Sequence, residues 1–327
     1  MLWNGLFINS LSAHVPPRVS ISDIDSSMDL SDALAGFVTV AKSDQQEHRM
    51  AGLAAREAVD HSDHAGERLA AIVYVNTSYA VDHMAAVCHL QRILRQPETL
   101  AFELNAASNG GMAGMEVLAR LMSTDPTLSA GLLTAVARIP DGVDRWMGGT
   151  LNGDGAVAAV LSKTAGFARV VATQRMSNPE LEVTSRNRAT KLGDWDTKAT
   201  KEGIAPYVET ITQDVSSVIA AILAEADITM QHISHVILPS FPLTSLQQIY
   251  LDRNAIPIAK TCWEDSRRNG HIGPCDQLLG LKYLMDTHRL ERGQLVLMIG
   301  SGLGFQYTCA LLEIVDCAAQ PDPAESR

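Results

Sequence analysis

Apolar positions follow two rhythms along this chain. Short aliphatic runs bounded by Gly, Pro, Asn or Ser read as buried strands. They fall at Leu6–Leu11, Ala70–Val75, Thr99–Leu104, Gly131–Ala137 and Val157–Leu161, then at Ala168–Thr173, His235–Pro239, Ile256–Lys260, Leu295–Ile299 and Thr308–Glu313. Between them, apolar residues recur every three or four positions and predict helices at Gln45–Val59, His83–Leu94, Met112–Met122, Val208–Glu225, Leu243–Asp252 and Asp276–Thr287. Strands alternating with helices predict an α/β fold. The order of elements repeats, which suggests a duplicated unit of about 160 residues. We therefore expect an N-terminal half at 1–165, a C-terminal half at 166–317 and a frayed tail at 318–327. Met176 to Thr200 is polar, of mixed charge and without period, and reads as a long surface loop of the kind that covers functional sites.

The junction after the third strand stands out. Leu104-Asn105-Ala106-Ala107-Ser108-Asn109-Gly110-Gly111 is a run of small residues between a strand and a helix. It permits a sharp turn and a close backbone approach. Ser108 then sits at a helix N-terminus, where free N–H groups and the dipole favour developing negative charge. Either Ser108 or Asn109 simply caps the helix, or Ser108 is a reactive group at such a turn. A second cluster, Asn269-Gly270-His271-Ile272-Gly273-Pro274-Cys275-Asp276, frees the backbone around one histidine and follows it five residues later with a carboxylate at a helix start. That carboxylate either caps the helix or folds back on the imidazole and fixes its tautomer. A third, Ile299-Gly300-Ser301-Gly302-Leu303-Gly304-Phe305, follows a strand. It is one residue short of a dinucleotide fingerprint and runs on into another strand, so it reads instead as a glycine corner able to aim a backbone N–H into a pocket. A fourth, Asn152-Gly153-Asp154-Gly155, is a turn that opens a strand.

Composition narrows the classes. The 327 residues are 46% hydrophobic, ample for a large core, and no apolar run reaches the length of a membrane span. The first residues lack the basic-then-apolar order of a secretory signal. Five cysteines without CxxC spacing fit a reducing, cytoplasmic setting better than a disulfide framework or a zinc site, and no metal is expected. Cys88 reads as a core position on an apolar helix face, and Cys275 as a small packed hydrophobe. A net charge of −11 argues against a nucleic-acid surface, though a local basic patch for a phosphate-bearing cofactor or an acidic carrier protein stays compatible with it.

Taken in order and spacing, these segments resemble the thiolase superfamily, and within it β-ketoacyl-acyl-carrier-protein synthase III. That family carries an N-A-A-C-S-G nucleophile turn, a G-D-G-A strand start, P-H-Q-A-N and G-N-T motifs, and a final G-x-G-x-G corner. Asn105–Gly110 matches the first, Gly153–Ala156 the second and Gly300–Gly304 the last. The resemblance implies a five-layered α-β-α-β-α fold with two pseudo-symmetric halves. It also implies a homodimer paired near Ala101–Leu104. Three positions depart from the pattern. Ser108 stands for the cysteine, Ser240 for the histidine of P-H-Q-A-N, and His271 for the asparagine of G-N-T.

A serine needs a base where a thiolate does not, and the His271–Asp276 pair supplies one. The sequence thus resembles the divergent branch of polyketide and antibiotic pathways, made up of acyltransferases and starter-unit synthases. It implies a catalytic set of Ser108, His271 and Asp276, with the backbone N–H groups of Ser108 and Gly304 as oxyanion donors. Ser240, Asn105, Trp146 (beside Arg145) and Arg267 are further candidates for substrate binding, Arg267 with Arg268 toward a phosphopantetheine phosphate. The donor would be acyl-CoA or an acyl-carrier protein, bound as substrate with no resident cofactor. Three readings follow: acyl transfer through Ser108, condensation with a malonyl carrier, or an inactive partner subunit.

Overall fold

The computed structural model describes residues 1–24, 36–77, 85–124, 127–147, 149–189 and 204–316, the side chains of Met147 and of 185–189 excepted. Nine strands form its main sheet: β1 Phe7–His14, β2 Ala71–Asn76, β3 Leu100–Leu104, β4 Ala130–Ala137, β5 Gly155–Ser162, β6 Ala168–Ser177, β7 Ile233–Ile237, β8 Leu295–Gly302 and β9 Gln306–Ile314. The helices that matter here are α1 Glu47–Asp60, α2 Ala86–Leu94, α3 Gly110–Thr124, α4 Val208–Glu225, α5 Trp263–Asn269 and α6 Asp276–Asp286. The strand order is β7-β8-β9-β6-β1-β5-β4-β2-β3. The pairs β2/β3, β2/β4 and β7/β8 are parallel; the other neighbours are antiparallel.

The sheet is really two leaves. Between β1 and β6 the ladder holds just Phe7↔Arg169 and Ile8↔Ala168, so the leaves fold toward each other at that seam. Strand periodicity then decides which side chains meet. In β2, Ala71, Val73 and Val75 face the central layer while Ile72 and Tyr74 face outward. In β8, Val296 and Met298 face the centre while Leu297 and Ile299 face outward. Both faces of each leaf are therefore covered, which is why these strands read as unbroken apolar runs. Helices α3 and α6 fill the centre through Met115, Leu118, Met122, Leu278, Leu281 and Leu284. Helices α1 and α2 cover one outer face, and α4 covers the other. This is the five-layered α-β-α-β-α arrangement that the resemblance implies.

Several expected elements come out differently. Ile256–Lys260 is not a strand: a single 3-10 turn, Ile258–Lys260, follows Pro257, whose ring removes a ladder donor. Leu243–Asp252 splits into an α turn, Leu243–Leu246, and a π turn, Gln247–Leu251. Met176 and Ser177, placed in the long loop, instead extend β6 and pair with Tyr307 and Gln306. A 3-10 segment, Pro179–Ala189, comes next; the rest of that loop up to Thr200 lies outside the described residues, as do 317–327. Cys88 is exposed, so its helix turns the neighbouring Val87 and Leu90 inward rather than the thiol. Among the described residues, no helix is long and apolar enough to cross a membrane.

Candidate active site

The turn between β3 and α3 is built by its own small residues. The Asn105 side chain accepts the Ala107 N–H at 3.1 Å, a turn that asparagine forms readily. Ala107 adopts φ +48°, a left-handed conformation that costs a side-chain-bearing residue about 1–2 kcal/mol. Gly110 donates to the Ala107 carbonyl at 3.0 Å and starts the helix. The result is a tight elbow with Ser108 at its tip. Glycines crowd round it because nothing larger fits. A Cβ on Gly302 would lie 2.6 Å from the Ala106 carbonyl oxygen, and one on Gly111 would collide with the Pro274 carbonyl oxygen.

His271 lies in the connection between α5 and α6. Its N–H donates to the Leu151 carbonyl at 2.7 Å and its own carbonyl accepts from Gly153 at 2.9 Å. Gly270, at φ +74°, lets the chain enter this bridge. The ring is buried and its Nε2 lies 2.7 Å from the Ser108 hydroxyl. The other nitrogen, Nδ1, lies 2.6 Å from Asp276 Oδ2. Asp276, the first residue of α6, also accepts the Ser240 N–H at 2.7 Å and the Ile272 N–H at 2.8 Å. With three hydrogen bonds converging on it, this carboxylate has the cost of its burial offset. It holds Nδ1 protonated and leaves Nε2 free to accept from the serine. The structure thus brings Ser108, His271 and Asp276 into one hydrogen-bonded chain. Such a chain can remove the serine proton during attack on a carbonyl and stabilise the imidazolium that forms.

A cavity of about 40 Å³ opens over the Ser108–His271 pair, walled by Thr150, Asn152, Ile204, Ile211, Phe241, Ile249, Tyr250, Ser301, Gly302, Leu303 and Phe305. The Phe241 ring lies 5.2 Å from the His271 ring. Tyr250 is fully buried and its hydroxyl lies 2.7 Å from Ser301 Oγ. Burial pushes the Tyr250 phenol well above its ordinary range, so it remains a neutral hydroxyl. Gly304, at φ +96°, belongs to the β8–β9 corner whose neighbours Leu303 and Phe305 form part of the wall.

The other sequence candidates lie away from this wall. Ser240 is buried, and it acts through its backbone, holding Asp276 and accepting from Thr150 at 2.9 Å; its neighbour Phe241 faces the cavity instead. Asn105 shapes the elbow. Arg145 makes a two-pronged pair with the fully buried Asp154, at 2.9 and 2.7 Å, and so serves the G-D-G-A corner rather than an opening. Trp146 packs half-buried against the outer apolar cluster. Arg267 sits on α5 and pairs with Glu264 at 3.5 Å. Cys275 is fully buried, and burial, reinforced by the Asp276 charge, holds its thiol far from ionisation, which excludes it as a nucleophile. Phe241, Ile249, Tyr250 and Phe305 escape motif reading, because wall positions are set by how elements pack. The one local sign is the aromatic beside Ser240.

Residues 223–314 match the family model for the C-terminal part of 3-oxoacyl-[acyl-carrier-protein] synthase III. Among solved structures, the acyltransferase ChlB3 superposes with a TM-score of 0.84 and 28% identity, over 96% of this chain and 99% of its own. The 3-oxoacyl-[acyl-carrier-protein] synthase III of Aquifex aeolicus VF5 superposes at 0.76 with 19% identity, over 94% of this chain and 100% of its own. A point variant of OleA from Xanthomonas campestris superposes at 0.76 with 16% identity, over 96% of this chain and 99% of its own. A search among curated proteins returns no match.

Proposed function

We propose that this chain, which resembles the β-ketoacyl-acyl-carrier-protein synthase III branch of the thiolase superfamily, is an acyltransferase of secondary metabolism working through an acyl-Ser108 ester. Its kinship supports an enzyme that transfers or condenses acyl groups, and the likeness to an acyltransferase at 28% identity favours transfer. The observation that carries the reading is the Ser108–His271–Asp276 chain, at 2.7 and 2.6 Å.

The donor is a thioester of coenzyme A or of a carrier protein, taken as a substrate; no resident cofactor is required. Ser108 Oγ attacks the thioester carbonyl while His271 Nε2 takes the hydroxyl proton. Negative charge collects on the carbonyl oxygen, where the backbone N–H groups of Ser108 and Gly304 receive it. The C–S bond breaks, and the leaving thiolate takes the proton back from His271. In the second half, a hydroxyl, amine or thiol of the acceptor gives its proton to His271 and attacks the ester. The Ser108–acyl bond breaks and the serine is reprotonated. The acceptor is a small molecule or another carrier.

Condensation asks for more. Family members pair the nucleophile with two neutral donors for the malonyl carbonyl, and here one of those positions is Ser240, whose side chain is absent from the cavity wall. Incubation with a panel of acyl-CoA and acyl-carrier donors, followed by intact-protein mass spectrometry, tests the proposal. An acyl mass on the wild type and none on Ser108→Ala is the expected result. No adduct from any donor would move the protein to an inactive partner role. Release of carbon dioxide from a malonyl donor would move it to condensation.

A further inference from the structure

Between Gly300 and Gly302, Ser301 is the residue whose side chain has room. A Cβ on Gly300 would lie 2.6 Å from Asn109 Oδ1, and one on Gly302 would lie 2.6 Å from the Ala106 carbonyl oxygen. Side chains alternate along β8, and Ser301 shares the side of Leu297 and Ile299, the outer face where Tyr250 packs. There its Oγ meets the Tyr250 hydroxyl at 2.7 Å. Both residues are buried, Ser301 at 3% exposure and Tyr250 at 1%.

The hydroxyl protons round the cavity can be assigned one by one. Ser108, Thr150, Tyr250 and Ser301 are the hydroxyl-bearing residues of its lining. Ser108 directs its proton to His271 at 2.7 Å, and Thr150 donates to the Ser240 carbonyl at 2.9 Å. Tyr250 and Ser301 share a single hydrogen bond, yet each hydroxyl brings a proton of its own. Burial raises the Tyr250 phenol well above its ordinary range and the Asp276 charge adds in the same direction, so the pair stays neutral and keeps both protons. Whichever partner donates to the other, one O–H has no acceptor among the described residues. The wall nearby is apolar, with Ile204, Ile211, Phe241, Ile249 and Leu303. An acyl chain of carbon and hydrogen would bury that donor unpaired, whereas one bearing an oxygen within reach would satisfy it. A water at that O–H is displaced favourably only by a group that repeats its hydrogen bond.

We infer that the Tyr250–Ser301 pair recognises an oxygen on the acyl group carried by Ser108, so that the donor is a hydroxyacyl or ketoacyl thioester rather than a plain alkanoyl one. The inference rests on the acyl-Ser108 reading. It gives the serine of the glycine corner a task beyond its backbone.

The test compares N-acetylcysteamine thioesters, which carry the end of the pantetheine arm and need no carrier recognition. The acyl groups are butyryl, acetoacetyl and 2-, 3- and 4-hydroxybutyryl, so chain length is constant. The readout is kcat/KM for the thiol release that Ser108→Ala removes, with intact-mass detection of the adduct. In the wild type at least one oxygenated donor should exceed butyryl by about tenfold or more, the scale of one buried donor left unpaired. Tyr250→Phe and Ser301→Ala should each reduce that ratio, and the double variant should bring it close to one. A purely structural role would lower all donors together and leave the ratio where it was. Because a ratio is read, a variant of lower overall activity still reports, provided it melts cooperatively. A wild type that takes butyryl as fast as every oxygenated donor overturns the inference while leaving the acyl-serine intact. So does a preference that survives in the folded single variants and in the double variant. A wild type with no Ser108-dependent release from any thioester and no adduct overturns the acyl-serine reading itself.

Discussion

Asp276 accepts from His271 Nδ1, the Ile272 N–H and the Ser240 N–H at once. An asparagine there would offer one acceptor oxygen and turn its NH₂ toward groups that are themselves donors. The imidazole would then flip tautomer and present an N–H, not a lone pair, to Ser108. Asp276→Asn should lower the single-turnover acylation rate by about 10²–10⁴-fold, with donor affinity little changed. A loss under tenfold would remove Asp276 from the proton path. The same substitution should matter far less in a Ser108→Cys background, since a thiol ionises with less help. Comparing the two backgrounds separates proton abstraction from structural damage. Cysteines elsewhere provide a second check at this scale. Burial pushes the Cys262 thiol up to about 12, and Cys275 and Cys309 are fully buried and raised in the same direction. A raised pKa means less thiolate at any working pH. Iodoacetamide at pH 8 should therefore leave these three unmodified in the native protein and reach exposed Cys88; peptide mapping of Cys275 as a native adduct would contradict the central layer described above.

At the scale of elements, glycines set how closely α3 approaches the turn that carries Pro274 toward Asp276. The clash expected for Gly111→Ala is with a backbone carbonyl oxygen, that of Pro274, and has no flexible side chain to absorb it. That substitution should destabilise the protein by about 2–3 kcal/mol, the upper range for overpacking, and should also weaken acylation by moving α6 away from Ser108. Urea melts of the variant give the first figure, and a variant as stable as wild type would place the two elements farther apart than they are. Much of this architecture is legible in the sequence. Helix α4 falls on the same bounds that its apolar period predicts, and the Ser108, His271 and Asp276 clusters stand out because glycine and small residues flag turns. The failures have local causes. Ile256–Lys260 is apolar enough for a strand, but Pro257 lacks a donor, and the contact with β7 shrinks to a single bridge, Val236↔Thr261. The π turn leaves no trace in an apolar pattern that still reads as helix. Alignment of Ser240 to a motif gives position along the chain and not the direction of the side chain. Arg145 and Arg267 look free in the sequence because charge partners such as Asp154 are settled only by folding.

At the scale of the whole molecule, β3 poses the open question. It is the last strand of the sheet, paired on one side by β2, and its sequence LAFEL presents Leu100 at 55% exposure. An unprotected apolar edge invites a second strand. Two copies related by a two-fold axis would satisfy both edges at once and join their sheets. The full chain should therefore run in light scattering at twice its 35.2 kDa mass. Alternate residues of a strand direct their N–H groups to opposite neighbours, so of Ala101→Pro and Phe102→Pro one should disrupt the outward ladder and yield monomer, while the other should chiefly weaken pairing with β2. The consequence reaches the site, because β3 runs straight into Asn105 and the elbow that holds Ser108. A monomeric variant that still melts cooperatively should lose acylation in proportion to its dissociation, recovering as protein concentration rises. A wild type that is monomeric at micromolar concentration yet fully acylated would show that the elbow stands without a partner strand, and would leave the exposed edge of β3 without a role in catalysis.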